Sequence, residues 1–149
     1  MTTAALTAAL DEAKELASRG EPAPEAVVDL VLRILSAASD APPVLEALRG
    51  ASDGRALLRI TDGARAIELR AGDGRLFAEQ SDPKGKGPKV DATAATWLGL
   101  LGGTLKPWLA FTRGLVICRA GITELRWLQQ IAERLQRGYA DARGIESAP

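Results

Sequence analysis

The amino-acid sequence predicts an α/β domain in which a helical N-terminal segment precedes a five-stranded, mostly antiparallel sheet. Across residues 1–50, apolar side chains recur every three or four positions, as in amphipathic helices. From Ala56 onward, apolar and polar residues alternate, as in strands with one buried face. Asp-Gly pairs separate the alternating stretches and favour tight antiparallel connections. The 149 residues suffice for one domain with its own core.

Three helices are predicted in the first third of the chain. Thr3 is a candidate N-cap for the first, and Gly20 supplies the left-handed residue that ends it. Pro24 suits the first turn of the second helix, which has a broad apolar face and must pack against other elements. A short third helix covers residues 40–48 and ends at Gly50.

The remaining elements are five strands, two short apolar helices and a closing helix. The first three strands, at 56–61, 64–70 and 75–79, form a meander. Residues 81–89 hold glycines, prolines and lysines but no apolar side chain, which favours an exposed loop over a phosphate cradle. The other predicted elements are a strand at 90–93, helices within 97–111, a strand at 115–120 and a helix at 122–137 that ends at Gly138.

Composition excludes several classes of function. Nineteen basic and nineteen acidic residues balance, so we expect no nucleic-acid partner. The absence of histidine removes Ser/His and Cys/His catalytic pairs and most zinc sites. The single cysteine, Cys118, is interpreted as a core residue, and the acidic N-terminal segment does not resemble a signal peptide. We therefore predict a cytoplasmic protein with no metal and no cofactor.

Residues 96–114 carry the strongest indication of function. They hold three of the six aromatic residues, Trp97, Trp108 and Phe111, spaced among glycines. The uncharged part, 92–105, is shorter than the about 20 residues that span a bilayer. The segment therefore either fills the core or lines a binding cavity, and Gly99 requires either close backbone approach or space for a ligand.

An ordered series of short motifs follows this segment to the closing helix. A strand at 90–93, a glycine-ended helix, Ala110-Phe111, Gly114, an apolar strand, Gly121 and a leucine-bearing helix occur in that order. Over about residues 55–137 this series resembles the sterol carrier protein 2, or non-specific lipid-transfer, family. The resemblance implies helices on one face of the sheet and an elongated apolar cavity that takes acyl chains or sterols, without catalysis.

The predicted function is therefore non-catalytic binding or carriage of a hydrophobic ligand, with transient membrane contact allowed. Lys106 or Arg113 would hold a polar headgroup at the cavity mouth. There are no predicted catalytic or metal-binding residues. The predicted cavity lining is Trp97, Leu100, Leu101, Leu105, Trp108, Leu109, Phe111, Leu125 and Leu128.

The segment after Gly114 departs from the family pattern, which carries lysines where this chain reads GLVICRAG. The face bearing Leu115 and Ile117 is therefore expected to be covered by the N-terminal helices or by a second subunit. The rival function is a homodimeric or accessory interaction module with a filled cavity that docks on a partner enzyme. An enzyme that uses carboxylates alone, with Glu124 as the nearest candidate, is the weakest alternative.

These interpretations divide the chain into three parts. Residues 1–50 form the helical segment packed on the domain, 51–138 the ligand-binding domain and 139–149 a flexible tail.

Overall fold

The computed structural model of the protein describes residues 3–20, 22–119 and 121–147. In these ranges six α-helices and five β-strands follow one another along the chain. Their bounds are α1 Ala4–Ser18, α2 Pro24–Ala38, α3 Pro42–Leu48, β1 Gly54–Ile60, β2 Arg65–Gly72, β3 Arg75–Ser81, β4 Lys89–Ala92, α4 Ala94–Gly102, α5 Pro107–Thr112, β5 Ile117–Cys118 and α6 Ile122–Ser147. No helix in the described ranges is both long and apolar enough to cross a membrane.

The five strands form one sheet in the order β3-β2-β1-β4-β5. The β1–β4 pair is parallel, and the other three pairs are antiparallel. Leu58 at the centre of β1 lies opposite Ile67 on β2 and Val90 on β4. The predicted five-stranded, mostly antiparallel sheet is therefore confirmed.

The helices cover one face of the sheet. Leu58, Ile67 and Val90 point toward that face and belong to the same buried cluster as the apolar residues of α1, α2, α4 and α6. Helix α2 packs over β2 and β3, and α6 packs against β1. Side chains of the opposite parity, such as Phe77 and Ile117, lie on the uncovered face and are exposed.

Local backbone chemistry explains the tight β2–β3 connection. Asp73 and Gly74 both have positive φ angles, 55° and 71°. A two-residue hairpin turn requires this conformation, which Asp-Gly sequences adopt readily. The Asp53 carboxylate further holds the turn by accepting the Asp73 N–H at 3.3 Å.

The predicted end of the closing helix at Gly138 is wrong, because α6 continues to Ser147. A Cβ added at Gly138 would lie 2.8 Å from the Cα of Val44, so this glycine permits close packing of α6 on α3. Tyr139 and Ala142 are buried beyond it. Most of the predicted flexible tail is thus helical, and its last two residues lie outside the described part of the chain.

The fifth strand is shorter than the predicted 115–120, since only Ile117–Cys118 pair with β4. The Leu115 N–H instead donates to the Ala110 carbonyl at 3.0 Å, which ties this residue to α5. Ala120, the last residue of the predicted strand, lies outside the described residues.

The N-terminal helices do not cover the face that bears Leu115 and Ile117, so that alternative is wrong. Leu115 is 41% exposed and Ile117 is 51% exposed. Helices α1 and α2 pack on the other face because the long core-facing side chains of β1 and β2 lie there.

Candidate ligand-binding site

Helix α4 carries three of the predicted cavity residues and is anchored at both ends. At its start, the Thr93 hydroxyl accepts the Thr96 N–H at 3.2 Å, and the Asp62 carboxylate accepts the Ala94 N–H at 2.8 Å. At its end, Gly103 adopts a left-handed φ of 88°. These contacts determine which way the apolar side chains of α4 point.

Trp97, Leu100 and Leu101 of α4 are packed within the core. Each is 1% exposed. The Trp97 indole N–H donates to the Arg59 carbonyl of β1 at 2.9 Å, so this large side chain has no unpaired polar atom.

The glycines of α4 are explained by close approach. A Cβ at Gly99 would lie 2.7 Å from the Cβ of Leu105. A Cβ at Gly102 would lie 3.0 Å from the Cβ of Ala13, where α1 crosses α4. Close packing therefore accounts for both glycines without a ligand.

Helix α5 is a short element that covers part of this region. Its buried residues are Pro107 and Ala110. Leu109 and Phe111 are half-buried, whereas Trp108 is 54% exposed. Because α5 buries so little of its surface, it is attached to the core less extensively than α4.

Helix α6 carries two of the predicted cavity residues and is hydrogen-bonded to the end of α4. Leu128 is 1% exposed, and Leu125 is half-buried. The Gln136 amide donates to the carbonyls of Leu100 at 3.0 Å and Leu105 at 2.7 Å. These bonds join α6 to the end of α4 and to the residues that lead into α5.

Tyr139 is a second polar anchor on α6. Its hydroxyl donates to the Leu101 carbonyl at 2.7 Å. Burial raises the pKa of the Tyr139 hydroxyl above its ordinary value, so the group remains a neutral donor. Gln136 and Tyr139 are not among the predicted site residues, although polar side chains in line with the apolar stripe of a helix are the signal that would reveal such anchors.

The nine predicted lining residues thus form a layer of graded burial. Trp97, Leu100, Leu101 and Leu128 are inside, and Trp108 is at the surface. The intermediate members are Leu105, Leu109, Phe111 and Leu125.

A separate cleft of about 720 Å³ lies between α1, the end of α4 and α6. The residues that line it include Leu10, Gly103, Gln136, Lys14 and Arg143. None of the nine predicted residues lines it. The Arg143 guanidinium is paired with Asp11 at 3.0 Å.

The strongest local electrostatic feature lies on the uncovered sheet face. The Asp91 carboxylate accepts two bonds from Arg59, at 2.6 and 2.9 Å, and one from Arg119 at 3.1 Å. The hydrogen bonds from Arg59, followed by those from Arg119, hold the pKa of Asp91 below its ordinary value despite burial. Two guanidinium groups thus share one carboxylate, which β4 carries beside the central strand β1.

Comparisons with known proteins identify the fold. The sequence matches no protein-family model and no curated protein. The structure is similar to a crystal structure of sterol carrier protein 2, with a TM-score of 0.52, 22% identity and coverage of 67% of this chain and 85% of that one. It is also similar to the solution structure of a Thermus thermophilus protein described as possibly a sterol carrier protein, with a TM-score of 0.50, 24% identity and coverage of 74% and 82%. The chain therefore has the sterol carrier protein 2 fold.

Proposed function

We propose that this domain binds and carries a hydrophobic ligand, without catalysis, between α4, α5 and α6. The ligand is a fatty acyl chain, a sterol-like ring system or an isoprenoid. The observation that carries the proposal is the apolar layer of graded burial, in which Phe111 of α5, Leu105 and Leu125 are half-buried and packed against the core.

The inner residues of this layer are already packed, so a ligand must displace one of the elements that lie over them. Helix α5 suits this role because its buried residues are Pro107 and Ala110. A ligand that buries about 300 Å² of apolar surface gains about 7.5 kcal/mol at about 25 cal/mol per Å². Carriage requires that this gain exceed the cost of moving a six-residue helix with two buried side chains.

Two cations flank α5 and are suited to a polar headgroup. Lys106 precedes the helix and Arg113 follows it, and both are exposed. Neither forms an ion pair within the described part of the chain. We propose that one of them binds the carboxylate or phosphate of an amphipathic ligand at the cavity mouth, and that the protein acts in the cytoplasm.

The test compares two phenylalanines. Phe111→Asp places a carboxylate beneath α5, whereas Phe77→Asp places one on the uncovered face of β3, where Phe77 is 53% exposed. Binding of a fluorescent fatty acid should weaken at least tenfold in Phe111→Asp and stay unchanged in Phe77→Asp. Circular dichroism verifies that both variants fold. A folded Phe111→Asp variant that binds as tightly as the wild type would refute this site.

The alternative function is an interaction module that forms a homodimer or docks on a partner enzyme. The complete packing of Trp97, Leu100 and Leu101 favours it, because a filled core leaves no room for a ligand. Native mass spectrometry of protein purified without detergent separates the two functions. A stoichiometric lipid supports carriage, whereas an empty oligomer whose mass depends on concentration supports the interaction module.

A further inference from the structure

The exposed apolar side chains are concentrated in one short stretch of the chain. Five large apolar side chains are exposed in the described part of the chain, and four of them lie within fifteen consecutive residues. We call these four the β5 edge: Trp108, Leu115, Ile117 and Ile122, which are 54%, 41%, 51% and 64% exposed.

Hydrogen bonds hold this segment in a defined conformation. The Leu115 N–H donates to the Ala110 carbonyl at 3.0 Å, which joins the turn to α5. The Arg119 N–H donates to the Lys89 carbonyl at 2.8 Å, which joins the residues after β5 to β4. The β5 edge therefore belongs to a structured part of the chain, in which α6 contacts both α5 and the edge strand β5.

The residues around the β5 edge carry a net positive charge. Residues 105–127 contain one acidic residue, Glu124, against four basic ones, whereas the rest of the chain holds fifteen basic and eighteen acidic residues. The Glu124 carboxylate accepts the Gly121 N–H at 3.1 Å. The basic residues are Lys106, Arg113, Arg119 and Arg126, all exposed.

Most of this charge is not neutralised by the protein itself. Lys106, Arg113 and Arg126 form no ion pair within residues 3–20, 22–119 and 121–147. Arg119 shares the Asp91 carboxylate with Arg59, so that group retains an excess positive charge. Because Asp91 lies opposite Ile117 in the sheet register, this charge is adjacent to the apolar surface.

We propose that the β5 edge is a docking surface for an anionic lipid bilayer. Tryptophan favours the membrane interface, where the apolar ring and the polar N–H are both accommodated. The aliphatic side chains insert shallowly while the cations bind lipid headgroups. A second copy of this chain fits less well, because a two-fold contact through the same surface would place like charges against each other.

This docking does not require a ligand in the core, so delipidated protein tests it separately from the proposed carriage, although Lys106 and Arg113 take part in both proposals. Each cation near an anionic membrane contributes a factor of about five to binding. The double variant Lys106→Glu/Arg113→Glu should therefore bind at least about twentyfold more weakly than the wild type. The matched control Lys84→Glu/Lys86→Glu has the same change in net charge but alters the exposed loop before β4, where a Cβ at Gly87 would lie 3.3 Å from the Arg55 side chain of β1.

The test is co-sedimentation of delipidated protein with vesicles of phosphatidylcholine and phosphatidylserine at low ionic strength, alongside tryptophan fluorescence. Trp97 and Trp127 are buried, so a blue shift on vesicle addition reports Trp108, and Trp108→Phe should abolish the shift. We expect sedimentation of the wild type and the loop control, and loss in the Lys106/Arg113 variant.

Three outcomes would overturn the proposal. They are no sedimentation of the wild type, equal losses in the two charge variants, and a blue shift that persists in Trp108→Phe. If, in addition, the wild type shows a concentration-dependent mass that Ile117→Asp abolishes, a second copy covers the β5 edge instead of a membrane.

Discussion

Gly138 and Gly144 lie in the same helix but have opposite surroundings, so alanine substitution should change stability in opposite directions. Both residues belong to α6, Ile122–Ser147. A Cβ at Gly138 would lie 2.8 Å from the Cα and 3.0 Å from the Cγ2 of Val44. A Cβ at Gly144 would meet no atom within 4 Å.

The magnitudes follow from two effects. Alanine is more favourable than glycine within a helix by about 1 kcal/mol, and about half of this applies near a helix end, as at Gly144. At Gly138 the same gain is opposed by overpacking, which typically costs about 1–3 kcal/mol and should cost about 2–3 kcal/mol here because the contacted Val44 backbone atom cannot rotate away. We expect Gly138→Ala to lower the free energy of unfolding by about 1–2 kcal/mol and Gly144→Ala to raise it by about 0.5 kcal/mol.

Thermal and urea unfolding measure this difference. For a domain of this size, 1 kcal/mol corresponds to about 2–4 °C in Tm, so the two variants should differ by about 3–10 °C. If the helix instead ended at Gly138, alanine at 144 would bring no helical gain, whereas alanine at 138 would still be destabilising because of backbone strain at a left-handed residue. A gain at Gly144 therefore tests the continuation of α6, and equal Tm values for the two variants would refute the close packing of α6 on α3.

Two further predictions concern buried polar anchors. Hydrogen bonds from Arg59 lower the pKa of Asp91, so its carboxylate stabilises the fold above the unfolded pKa of about 3.9 and loses this effect as the pH falls through the lower folded pKa. Asp91→Asn should lower the free energy of unfolding by about 3 kcal/mol at neutral pH. Measured by urea unfolding, the difference in this free energy between variant and wild type should shrink below about pH 4, and a difference that is constant with pH would contradict this prediction. Trp127→Phe removes the indole hydrogen bond to the Ser52 carbonyl at 2.9 Å and should cost about 1–2 kcal/mol in thermal unfolding, whereas Trp108→Phe, at an exposed site, should be nearly neutral.

The order of the elements could be read from local signals. Pro24 begins α2, and the Asp73-Gly74 pair forms the predicted hairpin turn. Alternation of apolar residues located β1 and β2 to within two residues. These features depend on backbone preferences and on periodicity over a few residues, so no distant contact is needed to specify them.

The candidate site was predictable only in part. The apolar layer from Trp97 to Phe111 was recognisable by composition and by its resemblance to a lipid-transfer family. The difference in exposure between buried Trp97 and exposed Trp108 could not be predicted, because the exposure of each side chain depends on the position of α5 relative to α4 and α6. The lining residues and the ligand therefore remain proposals that the Phe111→Asp experiment tests.

By itself, the sequence determined the succession of helices, strands and turns, and the sterol-carrier-like order of the second half. Only the tertiary structure decided that α6 continues past Gly138, that β1 and β4 pair in parallel, and that the N-terminal helices leave Ile117 exposed. The physical reason is that a helical glycine costs about 1 kcal/mol locally, and only a distant contact, here with Val44, compensates for that cost. Strand partners and covered faces likewise depend on contacts between residues that are far apart in the chain.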